Sequence, residues 1–287
     1  MSIRGGFIGL GNIGEPMAER LVGSGLPTTV FDLRESAMQA LASAGANTAN
    51  SCRELAAGSD VIGICVRDDA DVRAVVLGEE GALAGAAPGS VIAIHSTILP
   101  STVHEIGAAA AARGIGTLDA CITGGAAGAK QGTLSYIVGG EKEHLERCRP
   151  AFESSAKQII HTGPLGSGAA TKLCNNLMTY QGFLAAFEAT LLARTAGLSQ
   201  EALEEVGRSN GNLNEQQLAF LGLHKVPAEQ RTSDPFQQVL RGFLELADKD
   251  LRTTLTFARE HGVALPGTGL CQQLMARVYG VEDELRR

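Results

Sequence analysis

The segment GGFIGLGNIGEPMAERL, residues 5–21, decides how this chain is read. A short apolar run through Phe7 and Ile8 leads directly into glycines at 9, 11 and 14, and a helical pattern begins near Ile13. Strand, glycine turn and helix in that order set a helix N-terminus, with its unpaired N–H groups and partial positive charge, at the end of a strand. Such a cradle suits a pyrophosphate. Gly9 permits the tight turn, Gly11 lets the backbone approach the anion, and Gly14 lets the helix pack closely. Gly9, Leu10, Gly11, Asn12, Ile13 and Gly14 are therefore the expected cofactor-binding loop. The next apolar run, TTVFD at 28–32, ends on Asp32, close to the ~20-residue spacing at which an acid bonds a ribose 2′-hydroxyl and repels a 2′-phosphate. NAD is expected over NADP, although Arg34 is of the type that grips a 2′-phosphate.

Outward from this segment the alternation continues. GGFIG (5–9), TTVFD (28–32), DVIGICV (60–66), SVIAIH (90–95), GTLDACI (116–122), LSYIVGG (134–140) and KQIIHTG (157–163) read as strands. Stretches such as GEPMAERLVGSG (14–25) and LPSTVHEIGAAAAARG (99–114) have helical length and periodicity. This predicts a mostly parallel sheet covered by helices on both faces, an α/β Rossmann-type domain over 1–163. TGPLGSG (162–168) supplies turn and cap residues, and a helix over Ala169 to Ala196, about 40 Å long, follows. The rest reads as helical, with Ser199 as an N-cap and His224 to Pro235 as a loop, so 164–287 is expected to be an all-α domain joined through the long helix.

Composition excludes several classes. The 287 residues hold 24 Lys and Arg against 31 Asp and Glu, a formal charge of −7, with no basic run to track a phosphate backbone. Nucleic acid is not an expected partner. No apolar run approaches the ~18 residues a membrane span needs, and the N-terminus lacks a secretory pattern. Cys52, Cys65, Cys121, Cys148, Cys174 and Cys271 form no CxxC pair and have no histidine at metal spacing. They are expected to be reduced core residues of a cytoplasmic protein without a metal; His261 is expected at the surface or at a helix cap.

Two further segments carry chemistry. DACITGGAAGAK (119–130) places Thr123 beside Gly124 and Gly125, a hydroxyl next to unshielded backbone N–H groups, which suits a small carboxylate. On composition alone a Gly-rich turn joining two strands is the favoured reading of the same run, and Lys130 within it is expected to be solvated. GSGAATKLCNN (166–176) opens the long helix with Lys172 and Asn176 four apart on one face and Asn175 alongside. The apolar neighbours Leu173, Cys174, Leu177 and Met178 suggest that much of this helix is buried. An amine in a partly desolvated place can donate and accept a proton near neutral pH, while an Asn orients the same oxygen without titrating. Most helix lysines, taken singly, face solvent.

These segments together resemble the β-hydroxyacid dehydrogenase family over essentially the whole length. GFIGLGNIGEPMAERL is similar to its cofactor fingerprint, DACITGG to its DAPVSGG segment, GSGAATKLCNN to its GxGxxxKxxNN segment, and Lys249 to Leu251 to its C-terminal KDL. The resemblance implies oxidation of a small 3-hydroxy acid or reduction of the matching semialdehyde. Lys172 would be the general acid/base, with Asn176 positioning the substrate beside Asn175; Thr123, Gly124 and Gly125 would grip its carboxylate. Val66, Ser96 and Thr97 would line the nicotinamide end, Lys249 would face cofactor and substrate, and Asp250 would be structural. A homodimer or homotetramer is implied as well. Cys121 stands where the family usually has Pro, and CVRD (65–68) where LPD is common; both are expected to reshape the pocket rim. Two other readings remain: an imine reductase-like relative, against which Lys172 argues, and an inactive cofactor-binding regulatory module, against which Lys172, Asn176, Thr123 and Lys249 argue jointly.

Overall fold

The computed structural model describes residues 3–282. Its first compact unit runs to Lys172 and its second begins at Leu173. The first holds an eight-stranded sheet: β1 (Gly5–Ile8), β2 (Thr28–Phe31), β3 (Asn47–Thr48), β4 (Val61–Ile64), β5 (Val91–Ile94), β6 (Gly116–Thr123), β7 (Leu134–Gly139) and β8 (Ala156–Gly163), in the order 3-2-1-4-5-6-7-8. Every pairing is parallel except β6 with β7. The order reverses beside β1, which makes the crevice at its carboxyl end the switch point where such sheets take ligands.

The helices of this unit are α1 (Gly14–Gly23), α2 (Glu35–Ser43), α3 (Cys52–Ala57), α4 (Asp69–Leu77), α5 (Ala82–Gly85), α6 (Pro100–Ala111), α7 (Gly125–Gln131) and α8 (Lys142–Phe152). They divide between two cores because successive strand residues point to opposite faces. Phe7, Ala93, Leu118 and Ala120 meet Met17, Leu41 and Phe152 on one side, while Ile8, Ile64, Ile92 and Ile94 meet Leu55, Val72 and Ile106 on the other. Every residue of β4 and β5 is buried, as strands covered on both faces require.

The seven strand runs read from sequence are all present. β3 escapes that reading because it is two exposed residues without an apolar pattern. α9 (Ser167–Thr195) is about 43 Å long and continues into the second unit, followed by α10 (Gln200–Ser209), α11 (Glu215–Leu223), α12 (Ala228–Arg231), α13 (Asp234–Glu260) and α14 (Pro266–Tyr279). Ser199 caps α10 by accepting the Ala202 N–H, and exposed His261 ends α13. The expected loop from His224 to Pro235 is instead interrupted by α12 and ends in α13, whose first turn tolerates Pro235 because the N–H it lacks would have no partner there. Phe183, Phe220, Leu244, Leu251, Met275 and Tyr279 fill the helical core.

Two expectations about burial need correction. Cys174 is exposed and Cys65 half-buried, whereas the other four cysteines are buried, and no disulfide joins any of the six. Met178 is likewise exposed, because the buried stripe of α9 runs through Lys172, Asn176 and Tyr180 instead. Lys130 is exposed, as expected.

His95, at the end of β5, is a buried titratable group inside the first core. It stacks on Phe7 and meets Tyr136 and Phe152 edge-on, and its Nδ1–H donates to the Ala120 carbonyl at 2.8 Å. Burial pushes its pKa down from 6.5 to about 4. The unfolded chain therefore takes up this proton before the folded chain does. The stability gained by keeping the ring neutral is complete above about 6.5 and is lost as pH falls through about 4, on the order of 3 kcal/mol in full. His95→Asn keeps a donor for the Ala120 carbonyl and removes the titration. Its melting temperature should fall less steeply than that of the native chain between pH 6.5 and 4.5; parallel slopes would assign the acid sensitivity elsewhere.

Candidate active site and cofactor cradle

The loops expected to carry function follow the carboxyl ends of β1, β2, β4, β5 and β6. After β1, two of the three glycines are required by the protein's own backbone. A Cβ on Gly9, whose φ is +93°, would stand 2.4 Å from the Cys65 carbonyl oxygen, and one on Gly14 would stand 2.0 Å from that of Gly9. At Gly11 a Cβ would meet nothing within 4 Å. Among the described residues, Gly11 therefore faces open space beside the loop. α1 begins at Gly14 with no side chain capping it, and a dinucleotide pyrophosphate fits this cradle. Leu10 is fully buried, and its backbone N–H and carbonyl are engaged by Asp32 and Arg34. Asp32 is tied to that backbone: its Oδ2 accepts from the Leu10 N–H at 2.7 Å.

After β4 and β5, one hydroxyl joins two loops. Ser96 Oγ accepts from the Val66 N–H at 2.9 Å and donates to the Val66 carbonyl at 2.8 Å. Thr97 follows, half-buried. Cys121 does not lie on a rim: it is 1% exposed, on the core face of β6, with its Sγ 3.5 Å from the Ser96 carbonyl. β6 is buried on both faces along most of its length, and the Sγ contact ties Cys121 to the loop after β5. Arg67, the other departure, is exposed and pairs with Asp68 at 3.1 Å.

β6 ends at Thr123, and Gly124 follows with φ +124°, a conformation that favours glycine. Gly125 opens α7 with space where a Cβ would be. Deeper in the same strand lies Asp119, which the sequence reading did not single out. It is fully buried; its Oδ1 accepts from the Gly166 N–H at 2.9 Å and its Oδ2 from the Ala169 N–H at 2.7 Å. Burial raises its carboxyl above the usual value, and these backbone donors oppose that rise. A Cβ on Gly168 would stand 2.5 Å from the Asp119 carbonyl oxygen and 2.8 Å from the Gly139 nitrogen, so the first turn of α9 lies directly on the sheet. Lys172, one turn further along, is 8% exposed. The signal for Asp119 was available: an acid in an apolar strand is costly unless paired.

In the second unit, Asn176 donates through Nδ2 to Asp250 Oδ2 at 2.8 Å, and Tyr180 donates to the same oxygen at 3.0 Å. Lys249 Nζ lies 2.8 Å from Asp250 Oδ1. Asp250, 3% exposed, thus anchors Asn176, Tyr180 and Lys249 together. Burial first, then the Asp250 charge, raises the Tyr180 pKa well above its ordinary value and keeps it a donor. Asn175 is half-buried on α9. Among the described residues no group of three His, Cys, Asp or Glu could hold a metal ion, and no helix is long and apolar enough to cross a membrane.

A glycine cradle at the switch point of a doubly wound sheet, with an acid closing the second strand, defines an NAD(P)-binding oxidoreductase fold. Residues 4–163 match the family described as the NAD binding domain of 6-phosphogluconate dehydrogenase, and residues 166–284 match that described as NAD-binding of NADP-dependent 3-hydroxyisobutyrate dehydrogenase. The chain is 42% identical to an NAD-dependent L-serine dehydrogenase of Pseudomonas aeruginosa over 72% of its own length and 70% of that protein's. It is 35% identical to a 3-hydroxyisobutyrate dehydrogenase of the same organism, over 94% of its own length and 90% of the other. A solved structure of Mycobacterium tuberculosis 3-hydroxyisobutyrate dehydrogenase with L-serine superposes with a TM-score of 0.82 at 31% identity, over 98% of this chain and 94% of that one. The chain belongs to the β-hydroxyacid dehydrogenase family and is an NAD(P)-dependent oxidoreductase of the 3-hydroxyacid dehydrogenase type.

Removal of the Asp119 carboxylate tests what seats α9. Asp119→Ala leaves two buried N–H groups unpaired, and urea unfolding should show a loss of at least about 2 kcal/mol. A loss below half of that would mean that water or another group replaces the carboxylate.

Proposed function

We propose that this enzyme oxidises a short 3-hydroxy acid, or reduces the matching semialdehyde, with Lys172 as general acid/base and NAD preferred over NADP. The observation that carries this reading is the burial of Lys172 on a helix turn seated by Asp119. Burial of the Lys172 stem limits how far its amine moves while a proton is transferred. Thr123 Oγ1 and the N–H groups of Gly124 and Gly125 hold the substrate carboxylate. Asn176, oriented by Asp250, positions the reacting hydroxyl, with Asn175 adjacent. Lys172 Nζ takes the hydroxyl proton on oxidation and returns it to the carbonyl oxygen on reduction. When bound, the nicotinamide accepts or supplies the hydride. Gly9 to Gly14, Asp32, Val66, Ser96, Thr97 and Lys249 make up the cofactor site. Lys172 argues against the alternative imine chemistry, because the relatives that carry it out generally have another residue at that position.

Domain roles follow: 1–163 binds the dinucleotide, and 164–287 contributes to substrate binding and dimerisation. Met178, Leu192, Leu198 and Leu270, each more than half exposed, offer apolar surface for a second copy in a homodimer or homotetramer. The six cysteines, none of them in a disulfide, fit a cytoplasmic, reducing setting.

L-serine and 3-hydroxyisobutyrate, named with the relatives, are the first substrates to try in an assay at 340 nm. Lys172→Ala should lower kcat by about 10²–10⁴-fold while NADH fluorescence still reports binding; unchanged turnover would remove Lys172 from the chemistry. Light scattering should give the mass of a dimer or tetramer, and a monomer at micromolar concentration would refute the assembly.

A further inference from the structure

The loops after β4 and β5 are tied together twice, and the Ser96 hydroxyl on the Val66 backbone is only the first tie. The second lies three residues further along each loop. There Asp69 Oδ1 accepts from the Leu99 N–H at 3.0 Å and from the Thr102 hydroxyl at 2.6 Å. Asp69 is the first residue of α4, yet that helix is capped by Asp68, which accepts the Asp71 N–H at 3.0 Å. Asp69 serves α6 instead, whose N-cap residue Leu99 makes no capping bond through its own side chain. Thr102 is fully buried, and its hydroxyl also accepts from Arg73 Nη2 at 2.9 Å, while Arg73 Nε donates to Glu105 at 2.7 Å. A buried hydroxyl that both donates and accepts is fixed in direction, and it fixes the carboxylate it meets. Arg73 and Glu105, 43% and 45% exposed, close the chain at the surface, where an ion pair contributes little by itself. Between the two ties, Ile98 is buried in the second core and Thr97 is half-buried.

We infer that Asp69 is a positioning residue for the nicotinamide end of the cofactor site, with Thr102 holding its carboxylate in place. The inference rests on the reading that Ser96 and Thr97 line that end. Asp69 acts through the Leu99 N–H and the loop, not by touching the ring. With the loop held at Ser96 and at Leu99, Thr97 is presented in one place before a dinucleotide arrives, and binding does not have to order it.

The test compares NADH with ADP-ribose, which lacks the nicotinamide ring, by titration calorimetry of the intact chain without substrate. The quantity read is the NADH-to-ADP-ribose affinity ratio. Asp69→Ala and Thr102→Val should each lower it about 3–10-fold, the order of one lost hydrogen bond, with ADP-ribose affinity unchanged. Asp69→Asn keeps the acceptor and Thr102→Ser the hydroxyl, and both should retain most of the native ratio. Glu105→Ala breaks only the exposed pair and should leave the ratio native, whatever it does to the melting temperature. Should Asp69→Ala not fold, the two Thr102 variants carry the same comparison. Thr97→Ala separates the inference from the reading beneath it. A ratio lowered by Thr97→Ala but unmoved by Asp69→Ala and Thr102→Val overturns the inference and leaves the reading standing. A ratio unmoved by all three overturns the reading, and the inference with it. A ratio lowered by the Asp69 and Thr102 variants alone upholds the inference, with the loop backbone in place of the Thr97 hydroxyl as the group presented. Equal losses of NADH and ADP-ribose affinity in those variants would show a purely structural role and overturn it.

Discussion

A carboxylate inside the sheet seats the first turn of the long helix α9. Asp119 accepts the Gly166 and Ala169 N–H groups, two of the donors that a helix start leaves without intrahelical partners. A negative charge at that end also meets the positive end of the helix dipole. The cost of burying an acid is thereby offset by groups that would otherwise carry their own burial cost. Gly139 and Gly168 complete the arrangement, because any side chain at either would separate strand from helix. Lys172 lies one turn beyond these contacts on the same helix.

The glycine loop follows a similar rule with a different division of labour. Gly9 and Gly14 answer to the protein's own backbone, whereas Gly11 borders open space. Asp32 braces the same loop through the Leu10 N–H. Ser96 does comparable work two strands away, where one hydroxyl pairs with both backbone groups of Val66 and holds two loops in register. In the helical unit Asp250 plays the anchoring part, fixing which end of the Asn176 amide donates.

Much of the fold could be read along the chain, because strands buried on both faces are apolar throughout and the intervening helices show their own period. GxGxxG and the acid ending β2 were legible for the same reason: they are local in sequence. β3 was invisible, having neither length nor pattern, and α12 was hidden in a polar stretch with two prolines. Cys121 was misjudged as a rim residue because its side is set by the register of β6, whose partners are distant in sequence.

The amino-acid sequence by itself determined the alternating α/β order, the cradle, and the lysine and asparagines at helical spacing, since each depends on residues within a few turns of one another. Only the tertiary structure decided that Asp119 holds α9, that Asp250 orients Asn176, and that Arg34 lies back on the glycine loop. Those contacts join residues 47, 74 and 24 positions apart, and a pairing over such distances depends on how sheet and helices pack, which no local pattern encodes.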